Sequence, residues 1–132
     1  MNTINQIWNQ SVEIGISLYK TMVSSDNSPD DVIKDDIIDS LGKMAANIPR
    51  YEYKVDAYQA IHNLSMALGK SYRIETMMLI TNDLLPNTFT EKQFDMINDI
   101  QQLLYNERER IDPYESYFPP NYEMIRSEIF QS

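Results

Sequence analysis

The sequence predicts an all-α fold: an antiparallel up-down-up-down four-helix bundle with an aromatic, Pro-containing C-terminal tail. Three observations carry this. Apolar residues recur at three- and four-residue steps through four separate stretches. Helix-start chemistry stands ahead of three of them. Nowhere does a useful length of strand-like alternation appear. Short connections between such helices favour the simplest bundle topology. The expected organisation is one bundle over residues 1–110 and a tail over 111–132 with a short helix in it.

Thr3 and Gln6 form a capping-box pattern that opens helix 1, since a threonine hydroxyl and a glutamine three residues on can satisfy each other's backbone donors. Its expected apolar face runs through Ile4, Ile7, Trp8, Val12, Ile16, Tyr19, Met22 and Val23. The run 24–27 is loop by composition. Ser28 is the expected cap of helix 2, with Pro29 first inside it and Asp30 and Asp31 in the first turn, where negative charge suits the helix dipole. Helix 2 is expected to bury Ile33, Ile37, Leu41, Met44, Ala45 and Ile48, and Pro49 to end or kink it.

Helix 3, expected over 54–84, is the most informative element. One stripe, Ala57, Ala60, Ile61, Leu64, Ala67, Leu68, Ser71, Ile74 and Met78, has the spacing of a buried face. A second set lands opposite it: His62, Met66, Gly69, Arg73, Met77, Ile80 and Leu84. A monomeric bundle needs one apolar stripe per helix, so the second predicts a cover: the tail or another subunit. Leu85-Pro86-Asn87 breaks the helix. Thr90 to Gln93 is a second capping box, opening a helix 4 that shows Phe94, Ile97, Ile100, Leu103 and Leu104 and fades near Arg110. Beyond it, Tyr114, Tyr117, Phe118 and Tyr122 sit among three prolines. That aromatic content is foreign to solvated tails and predicts docking.

With 132 residues the chain supports one domain with a self-sufficient core. It has no cysteine, which removes disulfides, thiolate zinc sites and cysteine nucleophiles. No apolar run approaches a membrane span, and the first residues lack the pattern of a secretory leader, so a cytoplasmic location is expected. Eleven basic against twenty acidic residues give a net charge of −9, which repels phosphate backbones over a Debye length of ~8 Å. The charge is uneven. Residues 40–75 carry a small positive excess, so a local anion site in the middle of the chain is allowed while wholesale nucleic-acid coating is not.

From Ile7 to Glu109 the chain resembles the bacterial four-helix-bundle family of proteins encoded in ribosomal RNA intervening sequences, which is itself similar to the accessory proteins of diversity-generating retroelements. The residues that carry this are Ile7-Trp8-Asn9-Gln10-Ser11-Val12-Glu13, Asn47-Ile48, and above all Ala67-Leu68-Gly69-Lys70-Ser71-Tyr72-Arg73-Ile74-Glu75-Thr76 with Leu79-Ile80. The resemblance implies an antiparallel bundle and a ring-like homo-oligomer, a pentamer in several relatives. The retroelement accessory proteins are basic, bind nucleic acid and associate with a reverse transcriptase. Here the family's arginine pair in helix 2 falls at Ile38 and Asp39, and its Ala-Glu-Gly falls at Pro49, Arg50 and Tyr51. Fold and assembly therefore carry over better than RNA binding.

No residue set carries catalysis, cofactor binding or a metal. His62 is the only histidine; a bundle di-iron centre needs two Glu-x-x-His units. His62 reads as a surface residue. Glu75 borders the buried stripe and reads as a structural carboxylate hydrogen-bonded to a neighbouring helix or to a basic side chain. Asp30, Asp31, Asp35, Asp36 and Asp39 lack the alternation, central glycine and closing glutamate of a calcium loop, and read as a solvated acidic face. Gly15, Gly42 and Gly69 each cost about 1 kcal/mol inside a helix relative to alanine, which points to close helix approach or a subunit contact.

The leading expectation is a non-enzymatic, homo-oligomeric scaffold or adaptor whose contact surface comprises Met66, Arg73, Met77, Ile80 and Leu84. An unknown protein partner is also expected. The alternative is a nucleic-acid-binding accessory factor of a reverse transcriptase, or a ribosomal RNA-associated protein. Its candidate contacts are Arg50, Lys54, Lys70 and Arg73, with Tyr51, Tyr53 and Tyr72 near them for base stacking. Lys70 and Arg73 flank the second stripe and suit an interface rim, which favours assembly.

Overall fold

The computed structural model describes residues 3–24, 29–48 and 56–111. They form four helices: α1 (Thr3–Ser24), α2 (Asp31–Ala46), α3 (Ala57–Leu84) and α4 (Glu91–Arg110). Among the described residues there is no strand, and the fold is the all-α bundle the periodicity predicts. α1 packs on α2 and α4, α3 packs on α2 and α4, and the backbones of the diagonal pairs make no close approach. Neighbours run antiparallel. Gln93, at the start of α4, bonds to Ser17 and Thr21 near the end of α1, and Gln101 and Arg108 reach back to Ser71 and Ser65 of α3.

The core is aliphatic. Ile4, Ile7, Ile14, Leu18 and Met22 of α1 meet Ile37 and Met44 of α2, Leu64, Ile74 and Met78 of α3, and Ile97, Ile100 and Leu104 of α4. Each large side chain so buried contributes about 1.5–3 kcal/mol of transfer free energy. Alanines 57, 60 and 67 are buried on the same face of α3. Buried hydroxyls are satisfied within their own helices. Ser11 donates to the Trp8 carbonyl at 2.7 Å and Thr81 to the Met77 carbonyl at 2.7 Å.

Helix ends follow capping chemistry, with two shifts from expectation. The α2 cap is Asp30, whose carboxylate accepts from the Ile33 N–H at 3.0 Å, so the helix begins two residues later than a Ser28 cap would start it. Asp30 outcompetes because a charged acceptor at the N-cap also meets the helix dipole. Likewise α3 begins at Ala57, behind an Asp56 cap that accepts from the Gln59 N–H at 2.7 Å, rather than at Lys54. The capping box of α4 forms as predicted. Thr90 accepts from the Gln93 N–H at 3.2 Å and the Gln93 side chain accepts from the Thr90 N–H at 2.9 Å. α1 does start at Thr3, but the Thr3 side chain, Ser28, Pro49 and the tail lie outside the described residues.

The turn from α3 to α4 is braced by one side chain. Asn82 donates through Nδ2 to the Phe89 carbonyl and accepts the Phe89 N–H at Oδ1, both at 2.8 Å. Asn87 takes a left-handed φ of 66° there, a conformation that asparagine tolerates better than other residues with a Cβ.

The largest correction concerns the facing of α1. Ile14 and Leu18 are fully buried, whereas Ile16, Tyr19 and Val23, expected in the core, are 52%, 51% and 57% exposed. α1 therefore carries two apolar stripes, and the expected face merged residues from both.

Candidate interaction surface

The second face of α3 lies outward. Met66 is 42% exposed, Ile80 43% and Leu84 66%, with His62 and the bare backbone of Gly69 on the same side. Met77 differs from its companions: it is half-buried and packs against the core. It sits at the edge of the stripe rather than in it. Tyr58, Tyr72 and Leu79 add exposed apolar surface around this helix.

Arg73 sits in the middle of this face and is held across to α2. Its Nε donates to Asp36 Oδ1 at 2.8 Å and its Nη2 to Asp36 Oδ2 at 2.7 Å, a bidentate fork. These hydrogen bonds hold the Asp36 carboxyl below its ordinary value against the opposing effect of partial burial. The charges of Arg73 and Lys70 and a hydrogen bond from Ser40 act in the same direction. Arg73 in turn is raised above its ordinary value by Asp36. The guanidinium is thus matched within its own bundle. Of the other candidate nucleic-acid contacts, Lys70 lies on the same helix, half-buried and near enough to Asp36 to act on it, while Arg50 and Lys54 lie outside the described residues.

Glu75 has the structural role expected of it, accepting from Gln101 Nε2 of α4 at 3.1 Å. The acidic face of α2 is divided by function. Asp30 caps the helix, Asp36 binds Arg73, and Asp39 pairs with Lys43 at 2.9 Å. Among the described residues no three His, Asp or Glu side chains converge as metal ligands. None of the described helices is long and apolar enough to cross a membrane.

Two features escaped sequence reasoning. The Asp36–Arg73 pair spans 37 residues and has no periodic signature; only the antiparallel register of α2 and α3 brings it together. The other is an apolar groove of about 480 Å³ between α1 and α2, bounded by Val12, Ile16, Tyr19, Val23, Leu41 and Ala45. Gly15 and Gly42, one from each helix, also line it. A separate crevice of about 410 Å³ between α3 and α4 is lined by Tyr72, Tyr105, Asn98, Gln101 and Gln102, with the Arg108 guanidinium 5.3 Å from the centre of the Tyr105 ring.

The architecture has a counterpart among solved structures. A protein of unknown function from the S23 ribosomal protein family of Bacteroides thetaiotaomicron is 22% identical to this chain. The likeness covers 82% of this chain and 99% of that one, with a TM-score of 0.65. At that identity the likeness shows a common fold. No protein-family model matches the chain, and no curated protein matches it.

Proposed function

We propose that this chain is a non-enzymatic subunit of a homo-oligomeric scaffold, related to the proteins encoded in ribosomal RNA intervening sequences, and that subunits join through the outer face of α3. The observation that carries this reading is the exposed stripe of Met66, Ile80 and Leu84 on a helix whose opposite stripe already fills the core. Isolated apolar residues on a surface need no explanation, but three large ones along one helix face, with Arg73 between them, offer a contact. Methionine suits a surface that adapts to its partner. Gly69, where an added Cβ would meet nothing within 4 Å, leaves the helix backbone open to a close neighbour. The resemblance to the intervening-sequence family and the fold shared with an S23-family protein support the family placement; a ring of five rests on the resemblance alone.

Light scattering on the purified protein tests the reading. An oligomer at micromolar concentration is expected, reduced to monomer by Met66→Glu with Ile80→Glu while the helical circular-dichroism signal is kept. A wild-type monomer at that concentration ends the proposal.

The nucleic-acid reading has less support. Its central cation, Arg73, is already forked onto Asp36, and the net charge is −9. Association with RNA or DNA at ~50 mM salt that weakens steeply as salt rises would revive it, because counterion release gives phosphate binding that signature.

A further inference from the structure

We propose that the groove between α1 and α2 is the seat of the chain's own C-terminal residues 112–132, closing within one molecule. Three observations converge on it, and none depends on the oligomer reading.

The first is the groove's floor. Gly15 and Gly42 are helical, and each costs about 1 kcal/mol there relative to alanine. Close helix packing does not account for them: a Cβ built on either meets no atom within 4 Å. The space that the missing side chains leave open is the groove itself. Its walls include Ile16, Tyr19 and Val23, each more than half exposed. A trough that is apolar on its walls and bare on its floor admits side chains down to the helix backbone. The outer face of α3 carries the Arg73–Asp36 fork at its middle.

The second is reach. Ile111 is buried at the foot of α4, with extended backbone angles that lead the chain away from the helix. Because α4 runs antiparallel to α1, with Gln93 beside Ser17 and Thr21, Ile111 ends near the first turn of α1. The far end of the groove, at Val23, is about 30 Å along α1 from that turn at 1.5 Å per residue. The 21 residues that follow Ile111 span up to about 70 Å when extended. That length is enough to pass the foot of α1 and reach the far end of the groove.

The third is chemistry. Those residues hold Tyr114, Tyr117, Phe118, Tyr122 and Phe130, five of the chain's aromatics, with Ile125 and Ile129. They carry four carboxylates against one arginine, and the cation lining the groove is Lys20. A tethered segment competes at millimolar effective concentration, which a second copy at micromolar concentration does not match.

The test uses the full chain. Trypsin cleavage after Arg126, followed by mass spectrometry, reads whether the segment is held. Slow cleavage is expected in the wild type, independent of protein concentration. Gly15→Leu with Gly42→Leu fills the floor, and Tyr117→Ser with Phe118→Ser removes the anchors; each should speed cleavage roughly tenfold or more, as a segment released from a folded site exchanges far more readily. Because the chain has no cysteine, Ile16→Cys with Phe118→Cys locates the contact. An intramolecular disulfide should form readily there and not in the Ile80→Cys, Phe118→Cys control. That pair decides alone if the leucine variant does not fold. Equally fast cleavage in wild type and variants overturns the proposal. So does protection that survives the glycine replacements in a folded variant, which would seat the segment elsewhere. Protection that fades on dilution, or a disulfide that links two chains, overturns it by making the occupant another copy.

Discussion

Gln93 illustrates how much one side chain does in this bundle. Its Oε1 closes the α4 capping box, while its Nε2 donates to Ser17 Oγ at 3.0 Å and Thr21 Oγ1 at 2.9 Å on α1. Gln93→Ala leaves the Thr90 cap in place but removes the reciprocal half of the box and the donations to two hydroxyls. Urea denaturation should show a loss of about 2 kcal/mol, the sum expected for two part-buried hydrogen bonds. Gln93→Glu keeps the acceptor for the Thr90 N–H but loses the donor, and should fall between. Asp36 gives a pH signature. Its folded pKa lies below its ordinary value of 3.8, so the stability it adds is complete above that value and disappears as pH falls through the lower folded value. Asp36→Asn should therefore unfold earlier than wild type at pH 7. The gap between the two midpoints should narrow once the pH drops below the unfolded value. A gap independent of pH would assign the loss to packing. The cap positions were partly legible: Thr90 and Gln93 stand in a pattern with a local mechanism, whereas Asp30 won over Ser28 because two good caps lay two residues apart and the pattern alone does not rank them.

At the scale of elements, α3 and α1 teach opposite lessons about periodicity. In α3 the inner stripe is built largely of alanines and serine among leucines, a composition that only a close helix contact explains, and its buried face is the one the sequence predicts. In α1 apolar residues occupy two stripes of similar strength, so spacing does not say which faces the core. Ser11, buried through a bond to its own helix, sits in the true stripe and breaks its apolar run. The α3–α4 connection yields a separate expectation. Asn87→Ala, at a φ of 66°, should cost about 1 kcal/mol through left-handed strain, and Asn87→Gly should be neutral or slightly stabilising. Thermal unfolding of the two variants measures the difference.

For the whole molecule, the fold was legible because four amphipathic stretches with short links leave few alternatives, and the structure adds only their facing. The surface was legible in part. Helical spacing placed Met66, Arg73, Ile80 and Leu84 outward, but it grouped with them Met77, which lies against the core, and gave no sign that Arg73 is forked onto Asp36. Both depend on how α2 and α3 are rotated about their axes, which no single-helix pattern encodes. The proposed assembly also carries a charge consequence. Subunits of net charge −9 repel one another, so sedimentation should show the oligomer strengthening as salt is raised from low concentration. Nucleic-acid binding has the opposite salt dependence, so one titration separates the two readings.

α1 and α3 sit diagonally, with no close approach of their backbones, so their two outward stripes point away from each other across the shared core. Substitutions at such distant, unshared positions combine additively. Filling the Gly15–Gly42 trough should leave the subunit count unchanged, and disrupting the Met66–Ile80 stripe should leave protection at Arg126 unchanged. If both proposals hold, the molecule has two corners that selection can tune one at a time, one for its own sequence and the other for its copies.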